Sequence, residues 1–167
     1  MQLAFLSLAF GCLSLLTAVR SQIKTTGGKV GLALLLVAAL GMTLGALGRA
    51  DPITATKDEM TVHGRVHGLG ALLGIPTFPI ATTLIALSLS SNPAWAAAKR
   101  SVFWTAMLTW VGLVMFLLSI AIMLPRGGGK FTPDVLIGWT YRFLIFTSVV
   151  WLLTVARQAL KLYKQTA

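Results

Sequence analysis

The sequence predicts an all-α fold: a polytopic transmembrane bundle of five helices, in one domain that spans residues 1–167. The first observation is composition, because 56% of residues are hydrophobic and 11% are charged, far below the quarter that is usual in soluble domains. The second is length, because five apolar runs approach the roughly 20 residues that cross a bilayer core. A segment in lipid must satisfy its own backbone hydrogen bonds, so these runs are expected to be helices.

The first two predicted helices span residues 3–19 and 30–47. No basic residue precedes the first apolar run and Arg20 follows it, which is the reverse of the order in a signal peptide. We therefore expect a membrane helix there. Gly41 and Gly45 in the second helix form a pair of small residues four apart, which lets another backbone approach closely. Glycine that a membrane helix simply tolerates is the alternative interpretation.

The third predicted helix spans residues 58–89. Thr56 and Glu59 have the spacing of a capping box, so we expect the helix to begin beside them at the aqueous edge. Pro76 and Pro79 fall in the middle of the apolar part of this helix. Each lacks a backbone N–H, so each is expected to kink the helix.

The last two predicted helices span residues 101–124 and 133–162. Residues 125–129, Pro-Arg-Gly-Gly-Gly, predict a helix end and a turn. Thr132 as N-cap, a proline at the first helical position and Asp134 in the first turn together predict the start of the fifth helix.

The charge distribution predicts the orientation. One side of the predicted bundle has eight basic residues and no acidic residue: Arg20, Lys24, Lys29, Lys99, Arg100, Arg157, Lys161 and Lys164. The positive-inside rule places this side, with the C-terminus, in the cytoplasm, as expected for a multi-pass protein of the inner membrane. Met1 then lies outside, so either the first helix inserts as a reverse anchor or an upstream helix is missing. The basic residues form no run, so we expect no nucleic-acid partner.

Two histidines open the third helix on the outward side. His63 and His67 are four residues apart, so their rings project from one face of the helix. Such a pair is half of a metal or haem site, and Asp51, Asp58 or Glu59 could complete a zinc site if the loop folds back. The favoured interpretation has no metal and no cofactor: both histidines lie near the membrane interface and hydrogen-bond to neighbouring helices or water.

Arg142 is the sharpest single signal in the sequence. It lies about ten residues into the fifth helix, or roughly 10–15 Å along the axis, at a depth comparable to that of His67. An arginine at that depth normally faces the bundle interior and has a partner. A structural ion pair is one interpretation, and a site for an anionic headgroup or carboxylate is the other. The candidate partners are the four acids of the chain: Asp51, Asp58, Glu59 and Asp134.

Several of these residues form a recognisable pattern. It consists of Asp51-Pro52, then Thr61, Gly64 and His67 with a proline later in the same helix, and then Gly138, Trp139, Arg142 and Trp151 in the last helix. The pattern resembles the bacterial and archaeal membrane family known as domain of unknown function 998, over nearly the whole chain. Members of that family typically have one more helix at the N-terminus. The resemblance implies no activity, but it supports His67 and Arg142 as characteristic polar residues.

We therefore expect a non-catalytic membrane protein that binds a lipid or a partner membrane subunit through an outward-facing polar pocket. The residues of this pocket would be His67 and Arg142, with His63 and the four acids around them. An intramembrane metal-dependent lipid hydrolase is the second hypothesis, with zinc held by the histidines and a loop carboxylate. A haem-binding subunit of an electron-transfer assembly is the third.

Overall fold

A computed structural model describes residues 2–52, 55, 57–126 and 135–166, and it confirms the predicted fold class. Five helices in the described residues are long and apolar enough to cross a membrane, and these residues include no β-strand. The chain is therefore a multi-pass membrane protein. The helices are α1 (Gln2–Val19), α2 (Thr26–Leu47), α3 (Val62–Ser90), α4 (Lys99–Arg126) and α5 (Val135–Thr166).

The helices form an antiparallel series that closes on itself. The most extensive contact is between α2 and α3, other consecutive helices also pack together, and α1 meets α5 along a sparser seam. We call the end formed by residues 20–25, residues 91–98 and the last turns of α5 the basic end. We call the opposite end, formed by residues 48–52, 55, 57–61 and the first turns of α5, the histidine end. All eight basic residues that the orientation argument uses lie at or next to the basic end.

Hydrogen bonds tie two connections together at the basic end. The Trp95 indole N–H donates to the side-chain oxygen of Gln22, and Trp95 is completely buried. The Asn92 amide donates to the Gln22 carbonyl at 3.4 Å. The Thr25 hydroxyl, which also caps α2, donates to the Ser88 hydroxyl at 2.8 Å. These bonds hold the start of α2 against the end of α3.

Glycines form the contact between α2 and α3. A Cβ atom built on Gly41 would lie 2.6 Å from the backbone nitrogen of Gly74 and 2.7 Å from the carbonyl oxygen of Gly70. A Cβ atom on Gly70 would lie 2.5 Å from both the Gly41 oxygen and the Gly45 nitrogen. Two backbones can approach this closely only where no side chain intervenes. The close-approach interpretation of Gly41 is therefore confirmed, and the partner helix lies within the chain.

Hydroxyl groups make the polar contacts between the later helices. Thr82 on α3 and Thr109 on α4 lie 3.2 Å apart through their hydroxyl oxygens, and both are fully buried. Ser119 on α4 and Thr140 on α5 lie 2.8 Å apart in the same way. Each of the four hydroxyls also lies within hydrogen-bonding distance of a carbonyl of its own helix. Because a hydroxyl has one proton, one member of each pair donates to its partner across the helices and the other donates to its own helix, so all four have a partner.

The helix bounds differ from the sequence predictions in several places. α5 continues to Thr166 rather than residue 162, and α4 includes Pro125, where a helix end was predicted. α2 begins at Thr26 rather than residue 30, because the Thr25 hydroxyl accepts a hydrogen bond from the backbone of Gly28 and caps the helix earlier. α3 begins at Val62 rather than Asp58, and residues Lys57–Glu59 form a separate short turn of 3-10 helix. Thr56, and residues 127–134 with the predicted cap of α5, lie outside the described residues.

Candidate ligand-binding site at the histidine end

Asp51 organises the start of α3. Its carboxylate accepts a hydrogen bond from the Thr61 backbone N–H at 2.9 Å and another from the Thr61 hydroxyl at 2.7 Å. The Thr61 hydroxyl in turn accepts from the Gly64 backbone N–H at 3.0 Å, as an N-cap does. The helix start predicted at Asp58 was therefore wrong, because Asp51 and Thr61 supply the cap of α3 further along the chain.

Gly64 completes this arrangement by leaving room for the carboxylate. A Cβ atom built on Gly64 would lie 1.9 Å from one Asp51 carboxylate oxygen, so no larger residue fits while Asp51 is in place. Gly48 behaves in the same way at the end of α2, where a Cβ atom would lie 2.5 Å from the His67 backbone nitrogen. The connection between α2 and α3 is thus fixed to the first turns of α3 by one carboxylate and two glycines.

His67 faces α2. Its Nδ1 atom lies 2.8 Å from the Gly45 carbonyl oxygen, so Nδ1 carries the proton and donates this bond. The ring also packs edge-on against Phe5 of α1, with centroids 5.9 Å apart. From its position on α3, His67 therefore contacts both α1 and α2. Its hydrogen bond to α2 is of the kind that the favoured sequence interpretation expects.

A small cavity lies beside the His67 ring. Its volume is about 40 Å³, which holds water but is far below the roughly 300 Å³ at which small-molecule sites begin. A haem group does not fit in it. The walls come from α1, α2, α3 and α5: Phe5, Gly41, Met42, Gly45, His67, Gly70, Ala71, Gly74, Ile75, Phe78, Tyr141, Leu144, Ile145 and Ser148.

The sequence argument expected Arg142 to face the bundle interior, and the structure contradicts this. Its side chain is exposed, and its guanidinium carbon lies 5.5 Å from the centre of the Trp139 ring. Within the described part of the chain, no salt bridge joins Arg142 to a carboxylate. Trp139 is three residues earlier on the same helix face and is 64% exposed, so its ring offers the cation a surface outside the bundle.

Arg142 borders a groove between α1 and α5, which we call the Arg142 groove. Its volume is about 340 Å³, and Arg142 is the charged residue of its lining. The remaining walls are apolar or aromatic, and the full set is Ala4, Phe5, Leu8, Tyr141, Arg142, Ile145 and Phe146. Phe5, Tyr141 and Ile145 also line the His67 cavity, so these three side chains form the wall between the two spaces.

The other predicted site residues that the structure describes do not join these two spaces. His63 is exposed, unlike His67, although the two share a helix face. Asp58 and Glu59 are exposed in the turn before α3, and Asp134 lies outside the described residues. In the described ranges, no group of three or more His, Cys, Asp or Glu side chains is placed to hold a metal ion. Asp51 is committed to the cap of α3.

Sequence reasoning missed Phe5 and Tyr141. Tyr141 packs between Phe5 and Phe116, at centroid distances of 6.3 and 5.5 Å. No sequence signal marks these aromatic residues, because only the packing of α1 against α5 brings them together. Gly70 and Gly74 were also missed, although their spacing of four on α3 repeats that of Gly41 and Gly45 and could have identified the partner helix.

One of three comparisons with known proteins identifies a family. The family described as "Protein of unknown function (DUF998)" matches residues 1–158, nearly the whole chain. No curated protein and no solved structure matches the chain.

Proposed function

The chain belongs to the DUF998 family, whose description assigns no activity, and we propose that it is a non-catalytic membrane protein that binds a lipid at its histidine end. The Arg142 groove carries this proposal. It is an apolar slot of about 340 Å³ that opens between two membrane helices, with the Arg142 guanidinium at its rim. A lipid acyl chain matches the slot, and a negatively charged headgroup matches the guanidinium.

The position of Arg142 supports an anionic headgroup as its partner. An arginine in a membrane helix is costly unless it is paired or reaches the interface. Arg142 contacts the Trp139 ring, and no carboxylate among the described residues pairs with it. Arginine presents a planar fork of donors that matches phosphate and carboxylate groups. Trp139 beside it is of the type that sits at the level of lipid headgroups.

The catalytic and haem hypotheses have less support. The histidines and acids in the described ranges form no three-ligand cluster, and the His67 cavity of about 40 Å³ is far smaller than a cofactor. A partner membrane subunit remains the competing occupant of the Arg142 groove, and the experiment below separates it from a lipid.

The proposed orientation puts the histidine end outside the cell and the basic end, with the C-terminus, in the cytoplasm of the inner membrane. The eight basic residues at the basic end support it. In a background without Cys12, we expect Asp58→Cys to react with a membrane-impermeant thiol reagent added to intact cells. Ser21→Cys should react only after the membrane is opened. Both positions are exposed in the structure. The reverse labelling pattern would move the Arg142 groove to the cytoplasmic leaflet.

The lipid proposal predicts the behaviour of Arg142→Gln. The substitution removes the charge and leaves the apolar groove, so the purified protein should retain several-fold less anionic phospholipid than the parent, while its melting temperature changes little. Mass spectrometry of extracted lipids measures the retention. Arg65→Gln is the matched control, because Arg65 is an exposed arginine at the same end that does not line the groove.

Three outcomes would count against the lipid proposal. Equal lipid retention in Arg142→Gln and the parent would remove the proposed role of the guanidinium. Equal loss in Arg142→Gln and Arg65→Gln would indicate a general charge effect. A protein that co-purifies with the parent and is lost in Arg142→Gln, with lipid unchanged, would favour the partner-subunit hypothesis.

A further inference from the structure

A second and larger groove follows the seam between α1 and α5 at the basic end, and we call it the basic-end groove. Its volume is about 1110 Å³, roughly three times that of the Arg142 groove. Apolar side chains line most of the groove, and polar side chains lie at its rim, which faces the cytoplasm in the proposed orientation. The lining residues are Phe10, Gly11, Ser14, Leu15, Ala18, Ser21, Gln22, Lys24, Asn92, Ala94, Leu152, Leu153, Ala156, Ala159, Leu160, Leu162, Tyr163 and Gln165.

The groove exists because small residues face each other across the seam without closing it. α1 and α5 come into contact near one end of the groove, where a Cβ atom on Gly11 would lie 3.7 Å from the Leu152 side chain. Beyond that contact, Ala18 on α1 and Ala156 on α5 line open space. Small residues usually allow helices to pack tightly, so this gap leaves apolar surface for an occupant of another kind.

The charge at the rim identifies the chemistry of that occupant. Lys24 lines the groove, and the basic end carries eight Lys and Arg side chains with no acidic residue. Two of them, Arg157 and Lys161, are exposed on the turns of α5 that border the groove. Ser21 and Gln165 add exposed hydrogen-bond donors to the rim. Basic pockets between membrane helices on the cytoplasmic side bind anionic lipid headgroups.

We propose that the basic-end groove binds one anionic phospholipid of the adjacent leaflet. Its acyl chains lie along the apolar wall that includes Phe10, Leu15 and Leu153, and its phosphate is held by Lys24 with donors from Ser21 and Gln165. A zwitterionic phospholipid has the same chains but no net charge, so it binds this rim more weakly. This site is separate from the Arg142 groove and does not depend on it, because the two grooves share no lining residue.

The test uses delipidated full-length protein titrated with phosphatidylglycerol or phosphatidylcholine and followed by native mass spectrometry. The parent should bind phosphatidylglycerol more tightly than phosphatidylcholine. Lys24→Gln should weaken phosphatidylglycerol binding about five-fold, as expected for one charge near a membrane surface, and leave phosphatidylcholine binding unchanged. Lys99→Gln is the matched control, because Lys99 is exposed at the same end but does not line the groove.

A second variant tests the apolar part of the groove. Ala156 is exposed and lines the groove, so Ala156→Trp should fill it and remove the Lys24-dependent phosphatidylglycerol binding. Circular dichroism should show that this variant keeps its helices; if it does not fold, Lys24→Gln alone decides the outcome. Equal binding of the two lipids by the parent would overturn the proposal, and so would identical effects of Lys24→Gln and Lys99→Gln. A dimer that Ala156→Trp dissociates, with lipid binding unchanged, would assign the groove to a second copy of the chain instead.

The same titration distinguishes the two grooves. If Arg142→Gln weakens phosphatidylglycerol binding and Lys24→Gln does not, the basic-end site is wrong and the proposed function stands. If only Lys24→Gln weakens binding, the basic-end site stands and the proposed function fails. If both variants weaken binding, each by a part of the total, the protein has two lipid sites.

Discussion

Gly70→Ala is expected to destabilise the protein by about 1–3 kcal/mol, a typical cost of forcing an extra methyl group into a packed interior. The new Cβ atom would lie 2.5 Å from backbone atoms of Gly41 and Gly45, and backbone cannot move aside as a flexible side chain can. α2 and α3 must separate, which weakens the most extensive helix contact in the bundle. Thermal unfolding of the purified protein should show a melting temperature lower by at least about 3 °C.

Gly68→Ala is the matched control for Gly70→Ala. Gly68 is on the same helix two residues earlier, it is exposed, and a Cβ atom there would meet no atom within 4 Å. Alanine also favours helix more than glycine does, so the melting temperature of Gly68→Ala should equal or slightly exceed that of the parent. If both variants melt at the same temperature as the parent, the close contact between α2 and α3 does not limit stability.

Asp51→Ala is expected to cost about 1–3 kcal/mol of stability, because it removes both acceptors of the Thr61 backbone N–H and hydroxyl. The start of α3 should fray, which hydrogen exchange of the amides near Gly64 would report as faster exchange. Asp51→Asn keeps one carbonyl acceptor, so its stability should lie between those of the parent and Asp51→Ala. Asp58→Ala removes an exposed carboxylate from the neighbouring turn and should leave both melting temperature and exchange unchanged.

A double-mutant cycle tests whether Asp51 and Gly64 act together. Gly64→Ala alone should be strongly destabilising, since its Cβ atom would lie 1.9 Å from an Asp51 carboxylate oxygen. With Asp51→Ala present, the obstructing oxygen is gone, so the added cost of Gly64→Ala should become smaller. If the changes in melting temperature of the two single variants simply add in the double variant, the carboxylate occupies a different position from the one in the structure.

The family resemblance and the fold class were both confirmed, but the resemblance did not say what its residues do. Asp51, Thr61 and Gly64 appeared in the sequence only as parts of a pattern. In the structure they form one helix cap, in which the carboxylate, the hydroxyl and the missing side chain are each required by the others. For His67 the favoured interpretation was a hydrogen bond to a neighbouring helix or water, and in the structure the ring donates to the Gly45 carbonyl across the contact between α2 and α3.

The sequence by itself determined the five membrane helices, because apolar length and charge distribution are properties of local composition. It also showed that Gly41 and Gly45 allow a close helix contact, but only the structure decided between such a contact and glycine that the helix merely tolerates. The tertiary structure alone decided that Arg142 lies outside the bundle over Trp139, and that α1 and α5 leave two grooves between them. The physical reason is that depth along a helix can be counted from sequence. The direction in which a residue faces depends on how the helices are rotated and packed against each other.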